Sequence, residues 1–120
     1  YKPLIWDKVS LGMGYHFRNR HEFIVMLDKG KNRKPKNLSL PDIFTVPMVK
    51  GGYPTQKPLG LINLFIEQFT EENELVVDPF FGSGTVPLSC QDFNRNFQGS
   101  DISDEAHKYT NERLGVLSLF

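Results

Sequence analysis

From Glu74 to Leu114 the chain runs through a short apolar stretch, a turn with two glycines, a helical pattern, a second short apolar stretch and an acid. Glu74-Leu75-Val76-Val77-Asp78 carries β-branched residues in a run short enough for a buried strand of a parallel sheet. It ends at a turn containing Gly82 and Gly84. Thr85 can cap the helix that follows, where Pro87 falls harmlessly in the first turn and Val86, Leu88, Cys90 and Phe93 supply apolar surface. Residues 96–102 read as a second strand, and Ser103 opens a helix to about Leu114 with Glu105 in its first turn. Strand, glycine turn, helix, strand, acid and helix make half of a doubly wound α/β sheet of the nucleotide-binding kind.

Upstream, residues 4–9 and 22–28 are β-rich runs separated by Gly12, Gly14 and polar residues, so they predict two antiparallel strands joined by a loop. Residues 29–53 are rich in Pro, Gly, Asn and Lys and predict irregular connection, with 42–46 as one short strand. From Pro58 to Phe69, apolar Leu59, Ile62, Phe65, Ile66 and Phe69 recur at spacings of three and four, which predicts an amphipathic helix with Pro58 in its first turn.

In a doubly wound unit the ligand lies across the carboxyl ends of the strands, so the turn after the first strand must approach it closely. Gly82 and Gly84 suit that approach, and Asp101, nineteen residues beyond Gly82, would stand at the tip of the neighbouring strand. A carboxylate there accepts hydrogen bonds from both hydroxyls of a ribose. Taken singly, the glycines could be a plain tight turn and Asp101 a surface acid or helix cap; their spacing favours the ligand reading. Two nucleotide signatures are excluded. The third glycine of a dinucleotide fingerprint is replaced by Pro87, and Gly84 is followed by Thr85 without the lysine of a phosphate loop.

Composition narrows the setting. The net charge is zero, so attraction to a polyanion must come from local patches. One patch is the run 28–36, where Lys29, Lys31, Arg33, Lys34 and Lys36 face a single acid, Asp28; it reads as a solvated loop or as a loop that meets phosphates. No apolar run approaches the roughly 18 residues that span a bilayer, and no membrane role is expected. Cys90 is the only cysteine, which excludes an internal disulfide and suits a reducing cytoplasm. His16 and His21 have no accompanying metal-ligand spacing, so no metal site is expected.

The segment Asp78-Pro79-Phe80-Phe81-Gly82-Ser83-Gly84-Thr85 closely resembles motif I of the S-adenosylmethionine-dependent DNA amino-methyltransferases, which act on adenine N6 or cytosine N4. Thr55-Gln56-Lys57-Pro58 resembles their motif X, and Arg95-Asn96-Phe97-Gln98-Gly99-Ser100-Asp101-Ile102 their motif II strand with its ribose-binding acid. Trp6-Asp7-Lys8, Gly12, Gly14, Arg18, Arg20 and His21-Glu22 resemble the hairpin before the target-recognition region. Motif X preceding motif I resembles the permuted β-type order. The resemblance implies a partial Rossmann-like methyltransferase fold, a mixed sheet with helices on both faces. It implies three regions: an edge hairpin over 1–28, a basic loop and short recognition region over 29–53, and a cofactor-binding half over 54–120.

The implied cofactor, S-adenosylmethionine, carries a carboxylate, an ammonium, a sulfonium and an adenosine. Lys57 and the Thr85 hydroxyl, with the helix N-terminus behind Gly84, are the implied partners of the carboxylate. Asp78 is implied for the ammonium, Asp101 for the ribose, and Phe80 and Ile102 for the faces of the adenine; Thr55, Gln56, Gly82, Ser83 and Gly84 complete the implied site. Double-stranded DNA is the implied partner, met by Arg18, Arg20, Lys31, Arg33, Lys34 and Lys36, and a bacterial or phage-encoded cytoplasmic protein is the implied source.

In this family an Asp/Asn/Ser-Pro-Pro-aromatic motif holds the target amine. No Pro-Pro pair occurs in these residues, so no catalytic residue is expected among them, and the catalytic strands are expected from a region upstream of Tyr1 or from a second protomer. Two other readings stay open: a non-catalytic module that binds cofactor or nucleic acid, and a dinucleotide oxidoreductase, in which Pro87 and the 54–58 segment would have no role.

Overall fold

The computed structural model describes residues 3–116. Residues 1–2 and 117–120, the outer ends of the expected 1–28 and 54–120 regions, lie outside the described residues. The chain divides after Met48 into two compact units, a boundary a few residues before the one expected at 53/54.

In the first unit, β1 (Leu4–Asp7) pairs antiparallel with β2 (His21–Ile24), from Leu4 opposite Ile24 to Asp7 opposite His21. Both strands are shorter than the sequence predicts, for local reasons. At one end Asp7 Oδ1 accepts the Val9 amide at 2.9 Å and Val9 turns to φ 66°, a conformation that breaks an extended chain. At the other, Leu4 is already opposite Ile24, so Val25 and Leu27 continue past the ladder and stand exposed. β3 (Ile43–Thr45) lies on the other flank of β1 and runs parallel to it, giving the order β2-β1-β3 in a mixed sheet. Trp6 and Phe44 form the buried centre, and the Trp6 indole Nε1 donates to the Val46 carbonyl at 2.7 Å, which satisfies its one polar atom.

In the second unit, α1 (Leu59–Phe69) precedes β4 (Leu75–Asp78), α2 (Thr85–Asp92), β5 (Asn96–Gly99) and α3 (Asp104–Arg113). β4 and β5 are parallel, from Leu75 opposite Asn96 to Asp78 opposite Gly99, with α2 as the crossover. The strand–turn–helix–strand–helix order therefore follows the sequence reading. α1 packs on α2, and its most buried residues are Leu61 and Ile66, with the expected Leu59, Ile62, Phe65 and Phe69 half-buried around them. Pro58 is the N-cap of α1 and lies just outside the first turn.

Two expectations are corrected here. β4 is buried on one face only: Val76 and Asp78 turn inward, whereas Leu75 and Val77 are 58% and 60% exposed. The pleat puts Leu75 and Val77 on the face opposite Val76 and Asp78, and that face stays open. Thr85 is not the cap of α2: that place is taken by Gly84 at φ 72°, and Thr85 is the first helical residue, its hydroxyl turned to a distant carbonyl. Ser103 does cap α3, its Oγ accepting the Ala106 amide at 3.3 Å, with Asp104 and Glu105 in the first turn where the helix dipole favours acids.

Arg95, read from the sequence only as part of the strand motif, ties the end of α1 to the start of β5. Its Nε and Nη2 donate to Thr70 Oγ1 and the Thr70 carbonyl at 2.9 and 2.7 Å, and Nη1 donates to the Phe93 carbonyl. Arg95→Ala is expected to cost about 2–3 kcal/mol of unfolding free energy, since charge-assisted bonds to three half-buried acceptors are lost together. Urea denaturation checks it, and a loss below about 0.5 kcal/mol, the size of a neutral surface change, would contradict this role.

Candidate functional site: a cleft beside the glycine turn

The ends of β4 and β5 are stitched together around the glycine turn. The Gly82 amide donates to Asp101 Oδ2 at 2.9 Å, and the Ser103 amide donates to Asp101 Oδ1 at 2.9 Å. These amides, Ser103 first and then Gly82, hold the Asp101 carboxyl below its ordinary value, so it is ionised at neutral pH. A carboxylate offers about four lone-pair positions, so these two bonds leave acceptor capacity for hydroxyl donors. The turn itself is tight: Gly84 N–H donates to the Phe81 carbonyl at 2.9 Å, Phe81 N–H to the Ser100 carbonyl at 3.3 Å, and the Thr110 hydroxyl to the Gly82 carbonyl at 3.1 Å.

Beside this turn lies an open cleft of about 190 Å³, lined by Thr55 and Lys57 on one side and Asp78, Phe80, Gly82, Ser83 and Thr85 on the other, with Tyr53, Ile62 and Val86 among its apolar walls. It brings together an acid, a lysine and the start of α2. Seven of the eleven residues expected at a cofactor site thus share one cleft; Gln56, Gly84, Asp101 and Ile102 stand outside its lining. Gln56 Oε1 accepts the Tyr109 hydroxyl at 3.1 Å, and Gly84 faces Thr110. Asp78 Oδ1 accepts the Phe80 amide at 3.0 Å, which fixes the carboxylate at the mouth of the turn. Phe80 and Ile102 are almost fully exposed, two bare apolar side chains at the ends of adjacent strands.

The Thr85 hydroxyl is buried, donates to the Lys57 carbonyl at 3.1 Å, and receives Arg113 Nη1 at 3.2 Å. Its one hydrogen is therefore spent on the protein. Tyr53, Tyr109, Thr110 and Arg113 were missed by motif reading. The faint signal for the last two was the stripe Ala106, Thr110, Arg113 at spacings of four and three, whose first two members are buried.

The cations expected to meet DNA fall into two groups. Arg18 Nε and Nη2 donate to the Gly12 and Leu11 carbonyls at 2.9 and 3.2 Å, and Arg20 forms a two-pronged pair with Asp7 at 2.7 and 2.9 Å. The hydrogen bonds from Arg20 hold Asp7 below its ordinary value and Arg20 above its own. Both guanidiniums thus brace the 8–20 loop from within the chain. Lys31, Arg33, Lys34 and Lys36 are exposed on the segment between β2 and β3. Among the described residues no group of His, Cys, Asp and Glu could hold a metal, and no helix is long and apolar enough to cross a membrane.

This architecture, a glycine turn and an acid at neighbouring parallel strand ends beside a cleft with its own lysine, is that of the DNA methylases. Residues 1–112 match the N6_N4_Mtase family, described as DNA methylase, and the chain belongs to it. It is 32% identical over 102 residues to "Type II methyltransferase M.HhaII" of Haemophilus parahaemolyticus, covering 82% of this chain and 45% of that protein. The crystal structure of M1.HpyAVI superposes with a TM-score of 0.74 at 26% identity, over all of this chain and 60% of that one. The M1.HpyAVI-SAM complex gives 0.72 at 31% identity, over 95% of this chain and 61% of that one. The chain spans about half or less of the curated relatives it matches.

Proposed function

We propose that this chain is the cofactor-binding part of a DNA amino-methyltransferase that takes S-adenosylmethionine and methylates the exocyclic amine of adenine or cytosine in double-stranded DNA. The observation that carries the reading is the bond from the Gly82 amide to Asp101 Oδ2, which sets the anion of one strand tip against the bare backbone of the next. The residues present fit such a cofactor. Asp101 keeps free lone pairs for ribose hydroxyls. The cleft offers Lys57 and the N-terminus of α2 to a carboxylate and Asp78 to an ammonium. At about 190 Å³ it is below the roughly 300 Å³ of small-molecule pockets, so it suits one arm of the ligand, with Phe80 and Ile102 left to flank a flat ring outside it.

When bound, this group supplies a methyl on a positively charged sulfur. The chain's own residues bind and orient it: the turn fixes the sugar end, the cleft fixes the amino-acid end, and the apolar pair shields the ring from water. The groups that hold the target amine are proposed to lie in the part of the protein that these residues do not include. Calorimetric titration with S-adenosylmethionine and tritiated methyl transfer to duplex DNA by the intact protein test the reading. Binding without transfer favours the non-catalytic module, and preference for a nicotinamide dinucleotide overturns both.

The exposed lysines of the 28–36 run are proposed to contact phosphates. Lys34→Ala is expected to weaken binding to unrelated duplexes equally and to lower the slope of log K against log salt by about 0.9, the value for one phosphate contact. Loss confined to one sequence would show that the loop reads bases.

A further inference from the structure

Arg113 belongs to none of the motifs that define the site, yet it bonds one side of the cleft directly and is linked to the other through Thr85 and Tyr109. From the last turn of α3 its Nη1 donates to the Ser83 carbonyl and, at 3.2 Å, to Thr85 Oγ1. Thr85 Oγ1 has one hydrogen, which goes to the Lys57 carbonyl at 3.1 Å; toward Arg113 it can only accept. The direction is thereby fixed, from guanidinium to hydroxyl to carbonyl, and it crosses from the glycine turn to the 55–57 segment. A second arm runs parallel. The guanidinium lies 5.9 Å from the centre of the Tyr109 ring, and the Tyr109 hydroxyl donates to Gln56 Oε1 at 3.1 Å, again reaching the 55–57 segment.

Ser83 and Thr85 line one side of the cleft and Thr55 and Lys57 the other, while Arg113 itself is not part of the lining. We propose that Arg113 is a positioning residue that sets the separation of these two walls, and through them the seat for the amino-acid arm of the cofactor, without touching it. The role rests on the proposed function. Lysine replaces it only in part: both oxygens are met by the one Nη1 nitrogen, which an ammonium could imitate, but a point charge on a flexible stem does not lie over the Tyr109 ring as a planar guanidinium does.

The test compares two ligands on the intact protein by calorimetry: S-adenosylhomocysteine, which has the amino-acid arm, and 5′-methylthioadenosine, which lacks it. Arg113→Met is expected to weaken the first about tenfold and to leave the second within about twofold, the loss of its two charge-assisted bonds being felt indirectly and at one end of the site. Arg113→Lys recovers part of the loss at most. Thr85→Val cuts the same relay, so the double variant is expected to lose about as much as the worse single variant, whereas independent sites would multiply. Should Arg113→Met fail to fold, Arg113→Lys and Thr85→Val carry the same two-ligand comparison. Equal weakening of both ligands, or a multiplicative double variant, overturns the positioning role. A wild-type protein that binds neither ligand overturns the proposed function with it, while one that binds both and is unmoved by Arg113→Met overturns the positioning role alone.

Discussion

Asp101→Ala is expected to weaken S-adenosylmethionine binding roughly 100-fold at neutral pH, because two charge-assisted bonds to ribose hydroxyls would be lost together. The substitution also strips the Gly82 and Ser103 amides of their acceptor, so the turn loses its tie to the second strand. Asp101→Asn is expected to behave nearly as badly. Whichever way the amide is turned, its NH₂ group meets one of two backbone donors, and only one of Gly82 and Ser103 keeps a partner. The pH dependence has a definite sign. The folded carboxyl is held below its ordinary value of 3.8, so its contribution to stability is fully present above that value and fades as the pH falls through the lowered one. The stability gap between wild type and Asp101→Asn is therefore expected to be flat across neutral pH and to close only in acid. Calorimetry with the cofactor, and urea unfolding at several pH values, read the two effects separately. Wild-type affinity in Asp101→Ala would remove the ribose role, and a gap that closes near neutrality would assign the stability effect to another group.

What the sequence disclosed, and what it hid, divides by the range of the interactions. α1 was legible because its apolar residues repeat within one element, and the turn was legible because Gly82, Gly84 and Asp101 are needed in a fixed order along the chain. The parallel pairing of β3 was not: three residues between irregular segments carry no sign of which strand they will join. Thr85 looked like a cap because hydroxyls cap helices, but its partner is the Lys57 carbonyl, 28 residues away, a contact that exists only once α1 and α2 have packed. The partners of Arg18 and Arg20 within the chain were hidden for the same reason. Their acceptors, two loop carbonyls and Asp7, become neighbours only when the hairpin closes. Arg113 is the extreme case, one charged residue among several in a polar helix, told apart from them only by the turn and the Tyr109 ring it meets in the fold.

The same turn yields the largest stability effect. Gly84→Ala is expected to destabilise the fold by about 3 kcal/mol or more, from two separable sources. The first is backbone: Gly84 sits at φ 72°, where any residue with a Cβ is strained by roughly 1–2 kcal/mol. The second is contact: an added Cβ would lie 2.5 Å from Thr110 Oγ1 and 2.6 Å from Thr110 Cγ2, side-chain atoms of a buried residue on α3 that has little room to move. Retreat of Thr110 is also costly, since its hydroxyl is the partner of the Gly82 carbonyl. The two sources are distinguished by a second substitution. Thr110→Ala alone gives up one hydrogen bond, a loss of about 1 kcal/mol, but in the Gly84→Ala background it also removes the two nearest atoms in the way, leaving Thr110 Cβ at 2.9 Å. The double variant is therefore expected to be more stable than the sum of the singles predicts, by the part of the steric penalty that comes from Oγ1 and Cγ2, and to retain the backbone part and the closer seating of Cβ. Urea unfolding of the four proteins measures this coupling. Strict additivity would mean that the helix shifts freely to admit the methyl group, and the close seating of α3 against the glycine turn would then have no energetic weight.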